Sequence, residues 1–389
     1  MKSRMYHKVY YLASNFLNQS IIILLPILAL AFFNNSDFIA KIGLFETIAG
    51  LFFGLIAIIC IDYFKNKFYI VLFSTLLFTS LLSFYYFSEN SMFIFMLLMV
   101  FFMLFSRLVI SIQNAIMFKS FSGQEEGIEN YNKFTTSTYI IISIIAPPVT
   151  LYLYKIFGFT FILVISFVLV VSSLFFDKTK YNIDIKENIF SDLRKNISLF
   201  TSNKYIYIPI LTLAVVIFSG IMVTTIYYIY IVDTLNFGNS IYTWLLTLQS
   251  IGSLIASMIL YKRFFTNRIS SFPILIFLFA LSYAVFLMAG KNILLLLLIS
   301  LFSGILVTLV QMLVNEQYQK NCPPDIFGTI NGIRVTINNV AGLLGAGFAS
   351  FAYIHIGTYG IYIVNVILLV LIALVTFKKY TIDLRRGSF

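Results

Sequence analysis

Long apolar stretches separated by short polar interruptions make up most of the chain, and one long polar interval lies near its middle. That interval, residues 177–204, contains six Lys or Arg and four Asp or Glu side chains. A membrane-spanning helix needs about 20 predominantly apolar residues. The pattern therefore predicts twelve spans, six before the interval and six after it. We place them near residues 9–33, 38–61, 68–87, 91–118, 131–154, 158–176, 205–232, 239–261, 269–289, 292–318, 329–354 and 359–377.

The polar interval divides the chain into three predicted parts. They are an N-terminal six-helix bundle (1–176), a cytoplasmic connector (177–204) and a C-terminal six-helix bundle (205–389). Within the connector, four apolar side chains recur at helical spacing: Phe190, Leu193, Ile197 and Phe200. This spacing favours an amphipathic helix on the membrane surface, and a solvated loop is the alternative.

The two halves resemble each other at one constant offset. Residues 132–158 align with 331–357 at an offset of 199, and Leu55–Ala57 aligns with Leu254–Ala256 at the same offset. Together with the six-plus-six division, the shared offset indicates parallel repeats. The predicted fold class is therefore an all-α integral membrane protein with twelve transmembrane helices in two pseudo-symmetric six-helix bundles.

Composition and charge agree with a lipid-embedded chain. The sequence is 60% hydrophobic and only 11% charged, whereas soluble domains carry about 25% charged residues. The net charge of +11 would suggest nucleic acid as a partner of a soluble protein. Here 21 of the 26 Lys and Arg residues fall on one predicted side of the membrane and three on the other, with Arg107 and Arg334 inside spans. This bias is typical of cytoplasmic loops and predicts a multi-pass protein with both termini in the cytoplasm and no nucleic-acid partner.

Polar side chains inside the spans are the candidates for a substrate-binding cavity. Spans 3, 6 and 9 have no Asn, Gln or charged residue well inside them, and span 12 has only Asn365. We therefore expect these four helices to face lipid while the others surround a polar cavity. The alternative for individual Asn and Gln residues is interhelical hydrogen bonding that holds the bundle together. The predicted cavity residues are Asn18, Gln19, Arg107, Ser111, Asn114, Gln249, Gln311, Asn315 and Asn338.

Glu46 is the one carboxylate well inside a predicted span. A carboxyl group in apolar surroundings can exchange a proton near neutral pH, which is what proton coupling requires. The alternative is a structural ion pair with Arg107 or with a polar group on a neighbouring helix. A buried arginine is costly without such a partner, so Arg107 is predicted to anchor either Glu46 or a substrate.

Aromatic side chains and missing motifs narrow the function classes further. The run Tyr227–Tyr230 is predicted to belong to an interfacial aromatic belt, with a stacking surface for an amphipathic ligand as the alternative. The sequence has no P-loop motif, and its two histidines, His7 and His355, fall at opposite predicted membrane faces. We therefore expect no enzymatic activity, no cofactor and no metal site.

The chain resembles the major facilitator superfamily over nearly its full length. The loop Ile61–Lys67 is similar to the family's acidic-basic loop between spans 2 and 3, although Asn66 and Ile58 stand where glycines are usual. The resemblance implies that the family's gate aspartate corresponds to Asp62, facing 328–334 at the start of span 11. The cytoplasmic gate residues implied in this way are Asp62, Lys65, Lys67, Arg334 and Glu316.

Two further stretches resemble the macrolide-efflux and enterobactin-exporter branch of that family. They are the connector sequence 190–194 continuing to 203–204, and the loop containing 315–317 and 323–328. The resemblance implies a monomer in the bacterial cytoplasmic (inner) membrane that exports an amphipathic small molecule by alternating access. Glu46 would carry the proton, and the expected partners are the lipid bilayer, the substrate and protons. The alternatives are a nutrient or organic-anion importer on the same fold, and a non-transporting sensor or immunity protein.

Overall fold

The structure is a computed structural model that describes residues 2–45, 48, 67–121, 125–175, 203–260, 271–321 and 327–385. Every regular element within these ranges is helical. By contacts within the chain, the protein divides into two compact units, Met1–Ile185 and Lys186–Phe389. The division falls inside the predicted connector, whose residues 177–202, including the predicted amphipathic helix, lie outside the described residues.

The described residues of the first unit form six helical segments. They are α1 (Lys2–Phe33), α2 (36–45), α3 (Lys67–Phe87), α4 (Met92–Phe121), α5 (Glu125–Phe157) and α6 (Thr160–Leu174). Residues 49–66, most of the second predicted span, lie outside the described residues. Each of the other five predicted spans of this half corresponds to one of these helices, with ends that differ by a few residues.

The second unit has the corresponding order of helices. They are α7 (Lys204–Tyr228), α8 (Asn239–Ile255), α9 (Ser271–Ala289), α10 (Ile293–Asn321), and a helical segment Phe327–Arg385 that Gly357 divides into α11 (327–356) and α12 (358–385). Wider π-helical turns continue α7 over Ile229–Thr234 and α8 over Ala256–Leu260. All six predicted spans of this half are confirmed as helices.

The helices have the length and composition that a bilayer requires. In the part of the chain that the structure describes, nine helical segments are long and apolar enough to cross a membrane, and Thr160–Leu174 is a shorter apolar helix. One of the nine, Thr336–Lys378, has 43 residues and contains the break at Gly357, so it accounts for two spans. Exposed large apolar side chains such as Phe167, Leu281 and Leu371 cover α6, α9 and α12, as contact with lipid requires.

The repeat predicted from the sequence is visible in the turns between helices. Gly158, between α5 and α6, has φ +59°, and Gly357, between α11 and α12, has φ +63°. These are the two glycines that the offset of 199 aligns, and both have a positive φ, which disfavours residues with a Cβ atom. A glycine with positive φ therefore follows the fifth helix of each half.

In the first unit, α1 is hydrogen-bonded to three neighbouring helices. The Tyr10 hydroxyl is 2.6 Å from the Ser74 hydroxyl on α3, and Thr150 on α5 donates to Ser20 at 2.7 Å. Ser106 on α4 donates to Asn18 at 3.1 Å. These bonds fix the rotation of α1 about its own axis, because lipid and protein interior are equally apolar and cannot fix it by hydrophobicity.

In the second unit, glycines allow two pairs of helices to pack closely. A Cβ atom on Gly252 of α8 would overlap the carbonyl oxygen of Leu301 on α10, and one on Gly304 of α10 would overlap that of Gln249 on α8. Likewise, a Cβ atom on Gly345 of α11 would overlap the carbonyl oxygen of Phe218 on α7. Small residues at such contacts are the usual means of close helix packing in membranes.

Candidate functional site

Two predicted cavity residues in the first unit lie on one stretch of α1. Asn18 is partly buried and accepts the hydrogen bond from Ser106, while Gln19 next to it is partly buried. Asn18 therefore takes part in an interhelical bond, which was the alternative to a cavity role.

The side chains of several other predicted site residues lie outside the described structure. Glu46, Asp62 and Lys65 lie outside the described residues. For Arg107, Ser111 and Asn114 on α4, and for Lys67 at the start of α3, the described structure covers the helical backbone and not the side chains. The proposed proton carrier, its arginine and the loop of the predicted gate therefore stay predictions.

In the second unit, α10 and α11 bring Arg334 to Asn315. The Arg334 Nη1 atom donates a hydrogen bond to Asn315 Oδ1 at 2.9 Å, and both side chains are partly buried. Glu316, the next residue on α10, is also partly buried, whereas Gln311, one turn earlier, is exposed. The sequence assigned Asn315 to the cavity and Arg334 to the gate, but the structure joins them in one polar contact.

Two more asparagines of this unit have buried side-chain oxygen or nitrogen atoms. Asn365 of α12 is fully buried and accepts a short hydrogen bond from Ser219 of α7. Asn338 of α11 has a buried Oδ1 atom with no hydrogen-bond partner among the described residues. An unpaired buried carbonyl oxygen is unfavourable, so Asn338 stays a candidate for contact with a bound molecule.

The tyrosines at the end of α7 are in the interior of the second unit. Tyr228 is 3% exposed and donates to Asn239 at 2.8 Å, and Tyr230 is fully buried with its ring centroid 4.8 Å from that of Tyr362. The prediction of an interfacial belt is therefore wrong for these two residues. The π-helical turn at Ile229–Thr234 rotates Tyr230 relative to its position on a regular α-helix. The spacing of residues in the sequence does not reveal this rotation.

A small cavity lies beside this tyrosine cluster. It has about 20 Å³ of free volume and lies between α7, α8, α9 and α10. Its polar lining residues are Thr224, Tyr227, Gln249, Tyr283, Ser300 and Ser303. Of these, only Gln249 was predicted from the sequence. The spacing of Ser300 and Ser303, one helical turn apart in an otherwise apolar run, is the signal that could have revealed this surface.

This arrangement suits binding rather than chemistry. Every polar side chain that lines the cavity is uncharged, and the neighbouring surface is made of aromatic rings, including Phe286 at 5.7 Å from Tyr227. Hydroxyl and amide groups can both donate and accept hydrogen bonds. Such a lining orients an uncharged polar group and leaves the apolar remainder of a ligand against aromatic rings.

Comparisons with known families and solved structures cover nearly the whole chain. A model of the Major Facilitator Superfamily matches residues 9–346, and a second match covers 210–386. No curated protein is matched by sequence. Among solved structures, the chain is similar to the nucleoside transporter NupG, with 13% identity, a TM-score of 0.76, and coverage of 98% of this chain and 99% of that one.

Two other solved structures show the same fold similarity. A bacterial homologue of the iron transporter ferroportin, in an inward-facing state, has 14% identity and a TM-score of 0.74, with 97% and 98% of the two chains covered. A D-xylose-proton symporter has 12% identity and a TM-score of 0.73, with the same coverage. At these identities the likeness establishes the fold, and the different cargoes named for these proteins do not select one for this chain.

Proposed function

The chain belongs to the major facilitator superfamily, and from this membership we propose that it is a proton-coupled transporter that exports an amphipathic small molecule such as a drug, antibiotic or siderophore. It works by alternating access as a monomer in the bacterial cytoplasmic membrane, with both termini in the cytoplasm. The fold and the membrane-spanning helices are those of the family. The substrate class, direction and coupling ion are the proposal.

The observation that carries the substrate class is the chemistry of the second unit's interior. Uncharged hydroxyl and amide groups alternate there with tyrosine and phenylalanine rings, as at Tyr227, Gln249 and Phe286. Recognition of an organic anion would require several convergent cationic groups. No cationic side chain is among the described residues that line this cavity, and the guanidinium group of Arg334 on α11 donates to Asn315. An amphipathic molecule with few charges fits this surface best.

The proton-coupling role rests on Glu46. It is the one carboxylate well inside a predicted span, and a carboxyl group in apolar surroundings can load and release a proton during a transport cycle. Arg107, on α4, is the proposed anchor for the substrate or for Glu46. Export, rather than import, is supported by the resemblance of 190–194 and 323–328 to the macrolide-efflux and enterobactin-exporter branch.

Inverted membrane vesicles test the proposal directly. Vesicles whose lumen has been acidified are loaded with a pH-sensitive dye, and cationic drugs, macrolides and siderophores are added one at a time. A compound that is exported in exchange for protons will enter the lumen and make it more alkaline. We expect alkalinisation with at least one compound, and its loss in Glu46→Gln, because an amide cannot exchange a proton.

The matched control is Glu89→Gln, which changes an exposed carboxylate after α3 and should transport as the parent does. If Glu46→Gln alkalinises the lumen as fast as the parent protein with unchanged pH dependence, the coupling assignment is wrong. Accumulation in right-side-out vesicles instead would favour the importer alternative. Protection or signalling that survives collapse of the proton gradient would favour the sensor or immunity alternative.

A further inference from the structure

Each unit contains a small cavity between its first, third and fourth helices. In the first unit the cavity has about 10 Å³ of free volume and is lined by apolar side chains of α1, α3 and α4, together with Phe159. Leu28, Phe84 and Met99 are typical of its wall. In the second unit the cavity has about 20 Å³ and is lined from α7, α9 and α10, with Gln249 added from α8.

The two cavities differ in chemistry although their positions in the repeat correspond. The first has no polar side chain in its wall. The second has six among nine lining residues: Thr224, Tyr227, Gln249, Tyr283, Ser300 and Ser303. The first unit shows that apolar side chains alone are enough for its first, third and fourth helices to pack around such a cavity. Since polar groups within the membrane are unfavourable unless they are hydrogen-bonded, packing does not explain their presence in the second.

The polar groups of the second cavity are only partly engaged with one another. The hydroxyls of Tyr227 and Ser300 lie 3.3 Å apart, and Ser303 donates to the Ser300 carbonyl at 2.8 Å. Each of these hydroxyl oxygens can still accept another bond. The Tyr283 hydroxyl and the Gln249 side-chain amide have no hydrogen-bond partner within the described residues. The wall therefore presents both donors and acceptors to the same small space.

The surroundings of the cavity have the same character. The Tyr362 hydroxyl is buried and has no partner in the described part of the chain, and its ring lies 6.1 Å from Tyr283 and 5.8 Å from Phe286, both of which line the cavity. The π-helical turn at Ile229–Thr234 begins two residues after Tyr227. Such turns are frequent at functional sites, because they displace side chains from their regular positions.

We propose that the second unit's cavity is a binding site for one uncharged hydrogen-bonding group of hydroxyl size. The space admits about one water-sized group, and an uncharged wall favours an uncharged guest. Two sources share this chemistry: a bound water molecule and a hydroxyl group of the transported substrate. The second source rests on the proposed function, whereas the first does not.

The sign of a stability change tests the site. In Tyr283→Phe and Gln249→Leu, each substitution removes a polar group that has no protein partner in the described structure. If nothing binds in the cavity, each substitution removes the cost of burying an unpaired polar group. The unfolding temperature of the full-length protein in detergent then stays the same or rises. If water is bound, both variants should unfold at a temperature lower by about 2 °C or more.

Two control variants set the scale of the measurement. Tyr152→Phe removes a hydroxyl from a side chain that is 64% exposed on α5 and should leave the unfolding temperature unchanged. Phe84→Tyr places a hydroxyl in the apolar cavity of the first unit. It should lower the unfolding temperature, because no polar group lines that wall.

The second arm uses erythromycin, which carries hydroxyl groups, and tetraphenylphosphonium, which carries no hydrogen-bonding group. If a substrate hydroxyl occupies the site, erythromycin no longer raises the unfolding temperature of either variant, and the apparent KM for erythromycin in vesicles rises about tenfold. Tetraphenylphosphonium should affect the variants as it affects the parent protein. The proposal is overturned if neither variant has a lower unfolding temperature and erythromycin changes the unfolding temperatures of the parent and the variants by the same amount, zero included. If no compound in the vesicle panel is transported, the proposed function fails, and the unfolding temperatures still decide the site.

Discussion

Arg334 is in a span where a guanidinium group is costly unless nearby oxygens accept its hydrogen bonds. Asn315 provides such an oxygen at 2.9 Å from a neighbouring helix. Asn18 and Asn365 have similar roles, since each accepts a hydrogen bond from a serine on another helix. At the scale of single residues, these asparagines connect neighbouring helices, whereas the buried Oδ1 atom of Asn338 has no described partner.

Asn315→Leu should destabilise the second unit. The change removes the acceptor of a bond donated by a charged group, and such bonds contribute about 1.5–3 kcal/mol. Thermal unfolding in detergent measures the loss. Gln311→Leu is the matched control, because it removes an exposed amide one turn away on the same helix. Equal unfolding temperatures for the two variants would show that the contact contributes no stability.

At the scale of helices, α8 and α10 approach so closely that neither Gly252 nor Gly304 has room for a Cβ atom. The Ser253 hydroxyl reinforces this contact, since it donates to the Gly304 carbonyl at 3.3 Å. Gln249 and Ser300 lie on the same two helices, close to this contact, and both line the polar cavity. The distance between α8 and α10 therefore also sets the size of that cavity.

Gly304→Ala should lower the free energy of unfolding by about 1–3 kcal/mol, the usual range for overpacking, because the added methyl group overlaps the Gln249 backbone. Gly220→Ala is the control. A Cβ atom at Gly220 has no other atom within 4 Å, so this change in a helix should be neutral or stabilise the protein by up to about 1 kcal/mol. The close contact would be refuted if both variants unfolded at the parent temperature.

At the scale of the whole molecule, the two halves share their architecture, but the cavities between their first, third and fourth helices differ in chemistry. Gly158 and Gly357 turn the chain at equivalent positions with nearly equal φ angles. In contrast, the interior of the first unit is apolar around Leu28 and Phe84, while that of the second has tyrosine and serine hydroxyls around Tyr227. The two halves thus share a positive-φ glycine after the fifth helix, whereas the walls of their cavities differ.

Gly158→Ala and Gly357→Ala should destabilise the protein by similar amounts, about 1–2 kcal/mol each, because an L-residue is strained at positive φ. Space is not the reason, since a Cβ atom at either position would contact nothing within 4 Å. Gly238→Ala is the control, because Gly238 is also in a turn with open space but has φ −73°. Unfolding temperatures in detergent give the comparison. A neutral effect at one of the two positive-φ sites would contradict the equivalence of the turns.

The sequence by itself determined the apolar spans that the structure describes as helices and the alignment of Gly158 with Gly357. Each span requires only its own run of about 20 apolar residues, and the offset of 199 already aligned Gly158 with Gly357. These properties are local, since transfer of a helix into lipid depends on that helix alone. For the same reason the ends of α3, α9 and α10 fell within a few residues of the predicted limits.

Only the tertiary structure decided which side chains meet. Ser300 and Ser303 are in a run that is otherwise almost uniformly apolar, and Tyr230 follows α7 in a turn that widens to π-helix. In water, the hydrophobic effect would identify the buried face of such a helix. In lipid the two environments are equally apolar, so the rotation of each helix is set by specific contacts such as those of Tyr227 with Ser300 and of Arg334 with Asn315.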